Sequence, residues 1–120
     1  KGDGVNPDGK KAKEHFEQAV ERGNISAYYN LAIRYAKGHG VDKNESVAAE
    51  TFLKGAEVGS VPCMYAFGRC LETGFGTERS IEIAKIWLTK AAHLGDVEAQ
   101  AWCANNEVPF DKPAELLSGR

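Results

Sequence analysis

Shifting this chain against itself by 36 positions aligns glycine with glycine and apolar with apolar residues, and no gap is needed. Gly2, Gly38 and Gly74 coincide, as do Gly4, Gly40 and Gly76. Gly23, Gly59 and Gly95 form a third set. Ala12, Ala48 and Ala84 align, then the bulky apolar residues Phe16, Phe52 and Leu88. Leu31, Phe67 and Cys103 align, followed by the small residues Ala32, Gly68 and Ala104. A constant period of this size belongs to stacked supersecondary units. One such unit cannot bury its own apolar face, so stacking must supply the core.

Each unit reads as two helices. Asp8, Asn44 and Ser80 occupy equivalent positions, and Asn24, Ser60 and Asp96 occupy another. All six are residue types whose side chains accept from free amide groups at a helix start. The glycines at 23, 59 and 95 suit helix stops, because glycine takes the left-handed conformation without steric cost. The Gly-x-Gly pairs at 38–40 and 74–76 end the alternate helices in the same way. The expected helices are 8–22, 25–37, 44–58, 61–73, 80–94 and 97–106. Short connections make neighbours antiparallel. Glycine inside a helix costs about 1 kcal/mol against alanine, so Gly55 and Gly68 mark crossings too tight for a side chain.

Composition narrows the function. The chain has 120 residues, 42% hydrophobic and 27% charged, which supports a folded core. Its formal net charge of −2 gives no basic excess for nucleic acid. No apolar run approaches the roughly 18 residues of a membrane span. The opening Lys1-Gly2-Asp3-Gly4 is not a signal peptide. Cys63, Cys70 and Cys103 are an odd set, which favours free thiols and a reducing compartment, hence the cytoplasm. Removal of a signal peptide would leave a periplasmic or secreted location open.

No catalytic or metal constellation is readable, and neither a cofactor nor a metal is expected. Gly4-Val5-Asn6-Pro7-Asp8-Gly9-Lys10 imitates a phosphate-binding loop, but Lys11 replaces the required hydroxyl and no strand precedes it. His15, His39 and His93 fall on different units without ligand spacing. His15 aligns with Thr51 and Trp87, which makes it a half-buried packing position. Cys63 and Cys103 align with core residues, whereas Cys70 aligns with Arg34 and Asn106 and is expected at the surface. The triplets Asn24-Ile25-Ser26 and Asn44-Glu45-Ser46 are of glycosylation type, but capping explains both asparagines.

Gly38-His39-Gly40-Val41, Ala48, Phe52, Gly55-Ala56 and Gly59 together resemble a Sel1-like repeat. So do Gly74-Phe75-Gly76, Ala84, Trp87-Leu88, Ala91-Ala92 and Gly95, and in the first copy Ala27, Leu31, Ala32 and Tyr35. The resemblance implies an all-α superhelical solenoid of antiparallel helix pairs, similar to tetratricopeptide arrays. It implies adaptor or scaffold work on a protein or peptide partner, in bacterial pathways first. Neutralising a toxin or effector is one alternative; a hydrolase or small-ligand-binding repeat protein is another. The array is expected over 1–107. Residues 108–120 would form a tail or cap, because Glu107 replaces Tyr35 and Leu71 and Phe110 replaces the glycine of the turn. A short helix is expected from Pro113. The opening Gly-x-Gly turn has no helix before it, the pattern of an array that continues upstream.

By the same resemblance, the first helix of each pair (25–37, 61–73 and 97–106) lines a concave face. Removing the core positions leaves three outward rows: Tyr29, Tyr65 and Ala101; Ile33, Arg69 and Asn105; Asn30, Ala66 and Trp102. The candidate partner-binding residues are Tyr29, Asn30, Ile33, Tyr65, Arg69, Trp102 and Asn105. Tyrosine, tryptophan and arginine combine apolar area with directed hydrogen bonds, as interface hot spots do.

Overall fold

The computed structural model describes the backbone of residues 7–111 and the side chains of residue 11 and residues 14–111. Among the described residues six helices follow one another: α1 (Pro7–Glu21), α2 (Ile25–Lys37), α3 (Glu45–Glu57), α4 (Val61–Thr73), α5 (Ile81–His93) and α6 (Val97–Asn105). No strand occurs among the described residues. Each helix packs on the next, and α2 also reaches α4. The molecule measures 49 × 28 × 25 Å, with a radius of gyration of 15.1 Å. A compact globule of about 100 residues would have a radius near 13 Å. An α-helical solenoid is the result.

Capping sets the boundaries. Asn44 Oδ1 accepts from the Val47 amide at 3.1 Å, and Ser80 Oγ from that of Ile83 at 3.3 Å. Ser60 Oγ accepts from the Cys63 amide at 3.3 Å, and Asp96 Oδ2 from that of Ala99 at 2.8 Å. Asn24 holds the same position without a side-chain bond. Asp8 does not cap: α1 starts at Pro7, one residue earlier. Proline suits a first helical position, since its ring presets φ and no amide is lost. Gly9 and Lys10 therefore lie within a helix, whereas Gly2, Gly4 and the rest of the loop-like motif before Pro7 lie outside the described residues.

The Gly-x-Gly turns are built alike. Gly38 and Gly74 stop α2 and α4 in left-handed conformations. The Asn44 amide donates to the Tyr35 carbonyl at 2.9 Å, and the Ser80 amide to that of Leu71 at 2.8 Å. Gly76 is required twice over. Its φ is +71°, and a Cβ there would collide with the carbonyl oxygen of Glu45 at the start of α3.

The core runs through the stack. Ala32, Ala48, Ala84, Leu88, Cys63 and Cys103 are fully buried, with Phe52, Phe67 and Trp87 beside them. At Gly68 an added Cβ would lie 2.6 Å from Leu88 Cγ, and at Gly55 it would strike Cys63 Sγ. Both are the tight crossings expected. Ala104 departs from its equivalents and is exposed, because α6 is the last described helix and nothing described packs beyond it. The Ala12 side chain lies outside the described residues.

The repeat ends early in α6, which has 9 residues where α2 and α4 have 13. Glu107 turns the chain at φ 56°, and the Val108 amide closes back on the Cys103 carbonyl at 2.8 Å. Val108 and Phe110 then pack against the core. The helix expected from Pro113 lies outside the described residues.

Candidate functional site

Three helices, α2, α4 and α6, turn their starts toward a common open groove of about 570 Å³. α2 contributes Ile25, Ser26, Tyr29 and Asn30 from its first two turns. The α3–α4 turn and α4 contribute Gly59, Ser60, Val61, Pro62 and Tyr65. The next turn contributes Asp96 and Glu98. The 36-residue period thus brings the same loop of successive units to one edge of the groove.

Tyr29 is 38% exposed, and its ring leans on Phe52, with centroids 5.7 Å apart. Half of the phenol is anchored in the core and half is offered to solvent. Tyr65 is held differently. Arg69 Nη1 donates to its hydroxyl at 2.8 Å, and the guanidinium carbon lies 5.9 Å from its ring centroid. Arg69 Nε lies 2.6 Å from Glu72 Oε1. Glu72 Oε2 accepts the indole N–H of Trp102 at 3.0 Å. A chain of polar contacts therefore runs Tyr65–Arg69–Glu72–Trp102 and ties α4 to α6. Burial works against the Arg69 charge, but Tyr65 and Glu72 outweigh it and hold its pKa above the ordinary guanidinium value. Because Arg69 donates to the Tyr65 oxygen, the Tyr65 proton is left for an outside acceptor.

Of the seven candidate residues, the groove collects Tyr29, Asn30 and Tyr65. Ile33, Arg69 and Asn105 stand about one turn further along their helices, outside the lining; Ile33 is half-buried, Arg69 and Asn105 are exposed. Trp102 is corrected: it is 8% exposed and belongs to the core cluster. A buried indole needs an acceptor for its N–H, and Glu72 on the neighbouring helix provides one. Sequence reasoning missed Ile25, Ser26, Val61, Pro62, Asp96 and Glu98. The helix starts read as caps alone, although two of the three aligned caps, Ser60 and Asp96, stand in the groove.

The remaining candidates for chemistry stay apart. Among the described residues, no three His, Cys, Asp or Glu side chains converge as metal ligands. His15 is exposed rather than half-buried. The three cysteines are free and buried, Cys70 included. Burial pushes the Cys70 thiol up from 9.0 to about 11. Burial also raises the Cys63 and Cys103 thiols, against weaker opposing bonds with Ser60 and Thr89. No described helix is long and apolar enough to cross a membrane.

Stacked helix pairs joined by short turns define an α/α-repeat protein. The Sel1 repeat profile matches residues 1–24, 25–60 and 61–96, and the chain belongs to that family. Sel1 repeats generally serve as protein-interaction modules and typically as non-enzymatic scaffolds. The matched units begin at α2 and at α4, so each pair opens with a groove-lining helix. A Sel1 repeat protein from Oxalobacter formigenes is 31% identical, with a TM-score of 0.73 over 75% of this chain and 68% of that one. The cysteine-rich protein B of Helicobacter pylori is 22% identical, with a TM-score of 0.73 over 77% of this chain and 69% of that one. A protective antigen of uropathogenic Escherichia coli is 24% identical, with a TM-score of 0.73 over 76% of this chain but only 20% of its own. The last two likenesses concern the fold. No curated protein matches in sequence.

Proposed function

We propose that this chain is an adaptor or scaffold module that holds a segment of a partner protein along the concave face formed by α2, α4 and α6. The observation that carries this reading is the groove itself. It draws on three successive units and offers two anchored tyrosines beside apolar helix starts. Rigid aromatic side chains give contact area at low entropic cost. Its size suits a few side chains of an extended or helical segment rather than a folded domain.

The test is affinity enrichment with the purified chain as bait, comparing the natural sequence with Tyr29→Ala/Arg69→Ala. Quantitative mass spectrometry reads which proteins lose enrichment, and circular dichroism checks the fold. A partner lost from the double variant with unchanged helicity supports the reading. Equal capture by both baits contradicts it.

A further inference from the structure

We propose that the groove recognises a basic side chain, arginine above all, on an extended partner segment; this rests on the groove reading above. Among the described residues of the lining, Asp96 and Glu98 are the only charged ones, and both are carboxylates. Among the described residues, no lysine, arginine or histidine lines it. Asp96 spends Oδ2 on the Ala99 amide, which leaves Oδ1 for an outside donor. Glu98 is exposed at the mouth. The nearest guanidinium along α4, that of Arg69, already faces Tyr65 and Glu72. It does not neutralise the pair.

Three helix starts also meet at this edge, and each carries about half a positive charge. They favour an anion, so the two effects must be weighed. At α4, Ser60 occupies one free amide and Pro62 has none to offer. At α6, the Asp96 carboxylate sits on the helix start itself. Only α2 lacks a side-chain cap. Together the three starts carry about +1.5 charges against about −2 from Asp96 and Glu98, so the balance at this edge is negative and the cation prevails. The remaining walls fit the stem of such a residue. Tyr29 and Tyr65 present ring surface to a guanidinium or its methylenes, and Pro62 adds apolar area.

The experiment uses amide chemical shifts of the isotopically labelled full chain. The probes are acetylated, amidated pentapeptides that differ only at the central residue: arginine, its neutral isostere citrulline, or glutamate. The arginine peptide is expected to shift Ser26, Tyr65 and Glu98 and to bind about fivefold tighter than the citrulline peptide, with glutamate weakest. High salt and the double change Asp96→Asn/Glu98→Gln should both erase that advantage. Asparagine caps as well as aspartate, so the helix start survives. Citrulline binding as tightly as arginine, glutamate binding best, an advantage that survives the double change, or no shift with any peptide would each overturn the proposal. Charge-independent shifts at the groove would remove the cation alone and leave the groove. Shifts confined to α3 and α5 would contradict the groove reading too.

Discussion

Gly68 lies in mid-helix, and a methyl group there would come within 2.6 Å of Leu88, a side chain with no exposed surface. Overpacking of this kind costs about 1–3 kcal/mol, and better helix propensity returns about 1 kcal/mol. Gly68→Ala should therefore lower stability by up to about 2 kcal/mol, read as a lower urea midpoint; a gain would show that the crossing is looser than described. Glu107 is the converse, a non-glycine residue at φ 56°. Glu107→Gly should stabilise by about 0.5–1 kcal/mol, since the left-handed conformation strains only the natural residue. A drop in midpoint would contradict it. Burial raises the Cys70 pKa from 9.0 to about 11. The unfolded chain then loses this proton at lower pH than the folded one, so this contribution is present below pH 9 and fades as pH approaches 11. Urea melts across that window should show falling stability, and a flat profile in which Cys70→Ser changes nothing would rule the cause out. The crossing at Gly68 was readable because glycine in a helix demands a reason. The burial of Cys70 was not, because its repeat equivalents share its backbone position but not its neighbours.

Helix boundaries were legible to within a residue or two because the starts of α2 to α6 carry capping-type residues and most stops carry glycine. The caps are not equal, however. Asp96 accepts from Ala99 at 2.8 Å, whereas the Asn24 side chain makes no such bond. Asp96→Ala should cost about 1 kcal/mol, and Asn24→Ala less than about 0.5 kcal/mol. Equal losses in thermal melts would mean that residue type, rather than the bond formed, governs these starts. α6 shows what the period alone conceals. Glu107 and Phe110 signal a departure from the repeat, but Trp102 faces inward because Glu72 on α4 meets its indole. The aligned positions, Asn30 and Ala66, have no such bond to reveal. A pair contact between units is written in two distant residues, and a comparison of equivalent positions averages it away.

In the molecule as a whole, each helix touches its sequence neighbours and α2 reaches α4. That pattern follows from a period too short for a closed globule, and it was legible from the glycine and alanine alignments. The groove was legible only in part. Tyr29, Asn30 and Tyr65 follow from rows on the first helices, whereas Asp96 and Glu98 enter through the stacking of turns. Photocrosslinking tests the partner-holding face most directly. A benzophenone amino acid placed at position 29 in the groove, or at positions 54 and 85 on the exposed sides of α3 and α5, is irradiated with cell extract. The account predicts a discrete partner adduct from position 29 and none from 54 or 85. Adducts from the outer positions with none from 29 would contradict it.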